Sequence, residues 1–358
     1  MAIPDKQTLR MSRSICILGA FGYDTNQLDG QTVKTRNVYR LLQLNTKGRL
    51  YAIDTMHIRR KPLSAIKLLW ALIKCRTLVI IPCLNNLTYI FPITYFLSKI
   101  LNFGIIHICV GGWQVEYFQG NERFQAHPMQ LRQSKKIKAF LPEMARVNDE
   151  LTKELGFKNT EVFPNFRFIR SETRRVETTS ETLRLVFLAR VDKKKGYDTI
   201  FSFAEDVEMN GYRIVIDFYG PINEADEEEF MSLLEKHKRC VSYKGVLQQD
   251  EVTKHLENYD VMLLPTTIYT EGFPGSILDA YIAGIPVIVT EWKHCHEFVD
   301  DNETGFIIPF NDCQREFNDR IMSFYNDRIM LSNMKAKAFE KRLLYSDQTA
   351  WGILSKYL

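Results

Sequence analysis

The stretch PTTIYTEGFPGSILDAYIAGIPVIVT, Pro265–Thr290, decides how the chain is read. An apolar run, Asp260–Pro265, leads into it, and a loop then carries Glu271 and the turn Gly272, Phe273, Pro274, Gly275. From about Ser276 to Ala283 the pattern is helical, Gly284 stands where a C-cap glycine belongs, and Pro286 opens the next apolar run. This is a strand–loop–helix–strand unit. The N-terminus of such a helix offers free N–H groups and a partial positive charge to an anion. Gly272 and Gly275 let the backbone approach a ligand closely. Asp279, about one turn into the helix, can accept hydrogen bonds from a ribose diol, and Glu271 can accept from sugar hydroxyls.

The same alternation extends to both ends of the chain. Short apolar runs fall at Ser14–Gly19, Arg49–Ile53, Thr77–Cys83, Gly104–Val110, Ala139–Pro142 and Thr160–Phe163. Six more fall at Leu183–Ala189, Arg213–Tyr219, Val241–Lys244, Asp260–Pro265, Pro286–Thr290 and Gly305–Pro309. Helical patterns separate them. Continuous apolar strands are buried on both faces, and strand–helix alternation builds parallel sheets. The fold class is therefore α/β, two doubly wound Rossmann-like domains in tandem. The polar stretch Arg170–Thr182 lacks apolar periodicity and reads as the linker. The boundaries are residues 1–168, a linker at 169–182, residues 183–344, and a short amphipathic segment, 345–358. That segment either ends the second domain or crosses back to the first.

Composition agrees with two globular domains: 358 residues, 45% hydrophobic and 25% charged. It excludes a disordered chain, a collagen and a disulfide miniprotein. The seven cysteines are odd in number and form no Cys-x-x-Cys pair, which points to free thiols in a reducing compartment. Met1–Ser14 contains no apolar core of a signal peptide. The longest apolar stretch, Leu87–Leu97, is interrupted by Pro92 and is shorter than the roughly 20 residues a membrane span needs. The net charge of +4 conceals an asymmetry. Residues 1–170 carry 25 Lys and Arg against 11 Asp and Glu, a net of +14, and residues 171–358 carry 22 against 32, a net of −10.

A second cluster precedes the first in the chain. The run Phe187, Leu188, Ala189 delivers Arg190 to a strand's carboxyl end, and Lys195-Gly196 follows where a helix opens. Two cations five residues apart across such a turn can share one diphosphate. His294-Cys295-His296-Glu297 has metal-ligand residue types, but neighbours on one short loop diverge and no second ligand cluster is spaced for a closed site. No Asp-x-Asp pair suits Mg²⁺, and no Gly-x-Gly-x-x-Gly follows the first strand, which disfavours a nicotinamide dehydrogenase.

Glu271 followed after seven residues by Asp279 resembles the Glu-x7-Glu signature of the retaining family-four glycosyltransferases, the "glycosyl transferases group 1", which have the GT-B architecture of two Rossmann-like domains facing a central cleft. Arg190 with Lys195-Gly196 resembles that family's donor diphosphate motif. Val241–Leu247 resembles its base-holding segment, and Phe163–Phe166 its Pro-Asn closing the first domain. Thr304-Gly305 matches the threonine-glycine after the last substrate loop, and Asp29–Thr32 lies where the family has a glycine-rich loop. Asp279 is one methylene shorter than the family's second glutamate.

The resemblance implies catalytic roles for Arg190, Lys195 and Glu271. It implies donor binding by Gly30, Val246, Gly272, Phe273, Pro274, Gly275 and Asp279. Many relatives carry a histidine after the fourth strand; here the loop is Val110-Gly111-Gly112-Trp113, so Gly111, Gly112 and Trp113 become the acceptor-side or sugar contacts, and His107, within the strand, reads as a core residue. The family uses no metal and no cofactor; the nucleoside diphosphate sugar is a co-substrate. The acceptor domain would be residues 1–168 and the donor domain residues 183–344. The basic first half, with Arg59-Arg60-Lys61, Lys67, Lys74 and Arg76 before the aromatic segment Leu87–Ile100, suits an anionic membrane surface. The expected acceptor is a lipid-linked glycan in bacterial surface-polysaccharide assembly. The expected location is cytoplasmic, peripheral on the inner face of the plasma membrane. No nucleic-acid recognition motif occurs. The alternative function is a catalytically inactive nucleotide-sugar-binding partner of another transferase.

Overall fold

Apolar runs too short for helices and rich in Ile, Val and Leu become strands once both faces are covered. The computed structural model describes residues 14–24, 29–58, 62–120, 134–169 and 180–358. The chain divides into two compact units, residues 1–166 with 347–358, and residues 167–346.

The first unit contains β1 (Ile15–Gly19), α1 (Gly30–Asn45), β2 (Leu50–Asp54), α2 (Thr55–Ile58), α3 (Pro62–Lys74), β3 (Thr77–Ile81), α4 (Leu84–Leu101), β4 (Gly104–Ile108), α5 (Gln114–Gly120), β5 (Ile137–Leu141) and α6 (Ala145–Lys153). Its five strands lie in the order β2-β1-β3-β4-β5, all parallel. The sixth apolar run is not a strand: Thr160 makes only an isolated bridge to Phe140, and although Phe163 N donates to the Pro142 carbonyl at 2.7 Å, Pro142 has no N–H with which to return the next bond of the ladder. The Leu87–Leu97 run lies inside α4, which continues through Pro92.

The second unit contains β6 (Leu183–Leu188), α7 (Tyr197–Asn210), β7 (Ile214–Tyr219), α8 (Glu227–Lys236), β8 (Val241–Tyr243), α9 (Val252–Leu256), β9 (Val261–Leu264), α10 (Gly275–Ala283), β10 (Val287–Thr290), β11 (Gly305–Ile308), α11 (Gln314–Asn326) and α12 (Arg328–Lys341). Its strand order is β11-β10-β9-β6-β7-β8, again wholly parallel. Chain order reverses between β6 and β9. In open α/β sheets that switch point is where ligands bind, outside the carboxyl ends of the strands. Phe187, Phe201, Phe218 and Phe230 stack behind it, with ring centres 5.0 to 5.6 Å apart along the cluster.

After Ser346 the chain re-enters the first unit. There α13 (Asp347–Leu354) packs on α1, Lys356 Nζ lies 2.5 Å from Glu161, and the Tyr357 hydroxyl donates to Glu161 at 2.8 Å. Most of the polar stretch Arg170–Thr182 and all of Arg59–Lys61 lie outside the described residues.

Candidate active site

The carboxyl ends of β6 and β9 bring the two sequence clusters together. After β6 the chain passes Arg190 and enters a short 3-10 turn, Lys193–Lys195, whose N-cap Asp192 accepts from the Lys194 N–H. Gly196 then takes φ +81°, and its Cα packs so closely on the strand-end carbonyl of Pro265 that a Cβ would stand 1.9 Å from that oxygen. Only glycine fits there. Thr267 N donates to the Lys194 carbonyl at 2.8 Å and the Thr266 hydroxyl to the same oxygen at 3.1 Å, so the loop after β6 is stitched to the loop after β9.

That stitching sets Lys195 Nζ 2.5 Å from Glu271 Oε2, both side chains less than a fifth exposed. The Thr266 hydroxyl reaches the same carboxylate oxygen at 3.4 Å. Arg190 is exposed and has no hydrogen bond or ion pair with any described residue. The site therefore holds a half-buried cation–anion pair beside an uncommitted guanidinium, an arrangement that can accept a polyanion on the cations and hydroxyls on the carboxylate.

Helix α10 begins beside this pair. Pro274 is its N-cap and supplies no side-chain bond to the free N–H groups, no acid stands in the first turn, and Gly284 caps the far end at φ +73°. Phe273 turns its ring inward, stacked on Phe298 at 4.1 Å and against Tyr345 at 5.0 Å, so the loop offers a ligand the Phe273 backbone, not its ring. Asp279 is committed: Arg167 donates Nε to Oδ1 at 2.7 Å and an Nη to Oδ2 at 2.9 Å, and the same Nη reaches the Gly275 carbonyl at 3.4 Å. Val246, after β8, is 51% exposed and stands free to stack. Glu297 belongs to a short 3-10 turn. Beside it His294 and Cys295 are buried, while His296 is exposed and pairs with Glu291 at 3.0 Å. No group of three or more metal-ligating side chains occurs among the described residues.

In the first unit, Gly30 opens α1, and the Asp29 side chain caps it by accepting from Thr32 N at 2.8 Å. Gly111, Gly112 and Trp113 follow β4 and are partly exposed. A buried pair that the sequence did not reveal holds this loop. Lys34, on α1, reaches Glu143, just after β5, at 3.0 Å and the Phe163 carbonyl at 2.9 Å, while the other Glu143 oxygen accepts from Gly111 N at 3.0 Å. Burial pushes the Lys34 ammonium down from its ordinary range and Glu143 opposes the shift. The signal available in sequence was a lysine on the helix face that continues through Thr35, Val38, Leu41 and Leu42, and a glutamate at a strand's carboxyl end. His107 lies fully buried between Phe91 and Phe140, and burial lowers its pKa to about 3, so it stays neutral and packs as a core residue.

Residues 169–341 match the family described as glycosyl transferases group 1. The amylovoran biosynthesis glycosyltransferase AmsK of Erwinia amylovora is 25% identical over 142 residues, 37% of this chain and 34% of AmsK. The capsular polysaccharide biosynthesis glycosyltransferase CapM of Staphylococcus aureus is 23% identical over 229 residues, 62% of this chain and 58% of CapM. The alignments thus span about a third and somewhat over half of the length of these relatives. Among solved structures, Anabaena HepE in complex with UDP and glucose superimposes with a TM-score of 0.69 at 11% identity, covering 96% of this chain and 98% of HepE. With both sheets wholly parallel, the chain carries the GT-B fold of two Rossmann-like units, and its second unit matches the glycosyl transferases group 1 family across residues 169–341.

Proposed function

We propose that the chain moves a sugar from a nucleoside diphosphate sugar to a hydroxyl of a glycan acceptor, with retention at the anomeric carbon, in surface-polysaccharide biosynthesis. The observation that carries this reading is the Lys195–Glu271 pair at the β6/β9 switch point with Arg190 open beside it. An entering diphosphate draws Lys195 from Glu271 and recruits Arg190. Glu271, released from its cation, takes the hydroxyls of the transferred sugar, and the N–H groups of Gly272, Phe273 and Gly275 face the phosphate and sugar. The bond from the anomeric carbon to the diphosphate oxygen breaks as the bond to the acceptor oxygen forms; the bonding pair leaves with the diphosphate, and the acceptor's hydroxyl proton passes to an oxygen of that departing group. Cations that hold the departing group more tightly than the ground state speed the step rather than merely tightening binding. The reading requires no metal.

The nucleoside lies toward Val246 and Asp279, and a ribose diol at Asp279 shares its carboxylate with Arg167. Gly111, Gly112 and Trp113 serve the acceptor side through backbone and ring contacts. The acceptor proposed is a lipid-linked glycan at the cytoplasmic face of a membrane. Purified Arg190→Ala and Glu271→Ala variants, assayed for release of nucleoside diphosphate from candidate sugar donors, are expected to lose transfer while keeping the fold; near-normal turnover in both sinks the reading. One observation favours a second reading, an inactive nucleotide-sugar-binding partner: the Val110–Trp113 loop has no ionisable side chain where relatives carry a histidine. Donor binding without release, with every acceptor tried, would select it.

A further inference from the structure

In the first unit, α3 and α4 carry rows of apolar side chains on their outer surfaces. On α3, Leu63, Ile66 and Ile73 are 67%, 64% and 53% exposed; on α4, Ile93, Phe96 and Ile100 are 60%, 62% and 63% exposed. The spacings, three or four residues and their multiples, place each set on one face of its helix. Trp70 of α3, also half exposed, leans edge-on against Tyr51 of the edge strand β2.

The topology places the two rows side by side. The chain steps from β2 across β1 to β3 through α3, and from β3 to β4 through α4, both steps in the same direction along the sheet. Right-handed crossovers put both helices on one side of the sheet, with α1, whose step runs the other way, on the opposite side. The opposite edges of α3 and α4 are already buried: Ala71, Leu72, Leu87 and Phe91 are at most 1% exposed. The outer rows are thus a second apolar face, additional to the core-facing one. Contiguous exposure of this kind marks an interaction surface.

The charge around it names the partner. Between Asp54 and Glu116 the chain contains no aspartate and no glutamate, whereas Lys67, Lys74, Arg76 and Lys99 lie on or beside the two helices and are exposed. An apolar stripe on two helices whose only charged side chains are cations matches a bilayer with anionic headgroups; the nearest acid placed by a contact is the exposed Glu116 on α5, whose neighbour Tyr117 bonds Thr88 of α4. A second copy docked on this face would set like charges against each other. No helix among the described residues is long and apolar enough to cross a membrane, so the helices lie along the surface.

We propose that the paired outer faces of α3 and α4 form a docking surface for an anionic lipid bilayer, with the six aliphatic and aromatic side chains entering the interface and Lys67, Lys74 and Lys99 on the headgroups. The inference deepens the proposed function, since a lipid-linked acceptor is met at such a surface, and it stands on the helix faces alone.

The test is co-sedimentation of the full-length chain with vesicles of phosphatidylcholine, with and without phosphatidylglycerol, at low and high salt and without nucleotide. Binding is expected to the anionic vesicles, weakened by salt. Charge reversal at Lys67, Lys74 and Lys99 is expected to weaken it by about fivefold or more per lysine. Ile93→Asp combined with Phe96→Asp is expected to weaken it about 100-fold, and because both positions are solvent-facing, the thermal midpoint of this variant should match the parent's. Absence of binding at either salt overturns the proposal, as does unchanged binding in both variants. A concentration-dependent dimer that these substitutions abolish, without lipid binding, also overturns it in favour of a protein interface. Nucleotide binding is measured separately, so failure of the transferase reading leaves the vesicle result standing.

Discussion

Arg167 closes on Asp279 through two parallel hydrogen bonds, at 2.7 and 2.9 Å, although 112 residues separate them in the chain. Both side chains are about 15% exposed or less, so the fork-to-carboxylate pair is largely withdrawn from water. Removing either partner leaves a charge in a poorly solvated position. Arg167→Met and Asp279→Asn are each expected to cost about 2 kcal/mol, and the double variant clearly less than their sum. Urea unfolding of the three proteins reads the coupling; strict additivity would contradict it. The pair also blunts ribose recognition: for whichever of uridine, guanosine or adenosine diphosphate binds, the 2′-deoxy form is expected to bind within about threefold, because the carboxylate's strongest partner is already in place. Calorimetric titration checks this.

Arg190 and Lys195 separate catalysis from stability in opposite ways. Arg190 is exposed and has no bond to any described residue, so Arg190→Ala is expected to leave the thermal midpoint unchanged while lowering turnover about 100- to 1,000-fold. Lys195→Met strands Glu271 in the loop, so it is expected to lower both. A thermal scan beside a donor-turnover assay distinguishes the two.

Lys34 and Glu143 are both almost wholly buried. Lys34→Met alone is expected to destabilise by about 3 to 5 kcal/mol, because it removes the cation from a buried carboxylate site and leaves Glu143 the Gly111 N–H as its partner among the bonds described. Adding Glu143→Gln removes that carboxylate and is expected to recover part of the loss. Denaturant unfolding measures both.

His107 makes a pH prediction. Its folded pKa of about 3 lies below the ordinary value of 6.5, so between these the unfolded chain binds the extra proton and stability falls as pH falls. Fully expressed, the effect at pH 5 relative to neutral pH is about 2 kcal/mol. His107→Phe, which keeps an aromatic ring between Phe91 and Phe140, is expected to flatten this part of the pH dependence in unfolding titrations.

The parallel α/β architecture was legible because strands buried on both faces are continuous apolar runs, and eleven of the twelve runs form strands with ends shifted by at most three residues. The exception, Thr160–Phe163, loses its ladder because Pro142, just after its partner β5, has no N–H to donate. Helix α4 was hidden by Pro92, which the helix accommodates on an exposed side. After β11 the chain forms two helices, α11 and α12, and Asp327 caps the second through the Ile329 and Met330 N–H groups. In the candidate site, Lys195 and Glu271 could be nominated because each sits in a local strand–loop–helix pattern whose spacing is visible in one dimension. Asp279 could be nominated on the same ground, but its pairing with Arg167, and that of Lys34 with Glu143, could not be read: the partners lie 112 and 109 residues away, and only tertiary packing joins them.

The account rests on a diphosphate at the β6/β9 switch point. The most direct measurement is the thermal midpoint of the full-length chain with uridine, guanosine, adenosine, cytidine and thymidine diphosphates, repeated for Lys195→Met. At a ligand concentration of about 100 times Kd, binding to the folded state contributes about 2.7 kcal/mol, so at least one nucleotide is expected to raise the midpoint clearly, and Lys195→Met to abolish that rise. A chain that responds to none of the five, or a Lys195→Met variant that responds as fully as the parent, would contradict the account.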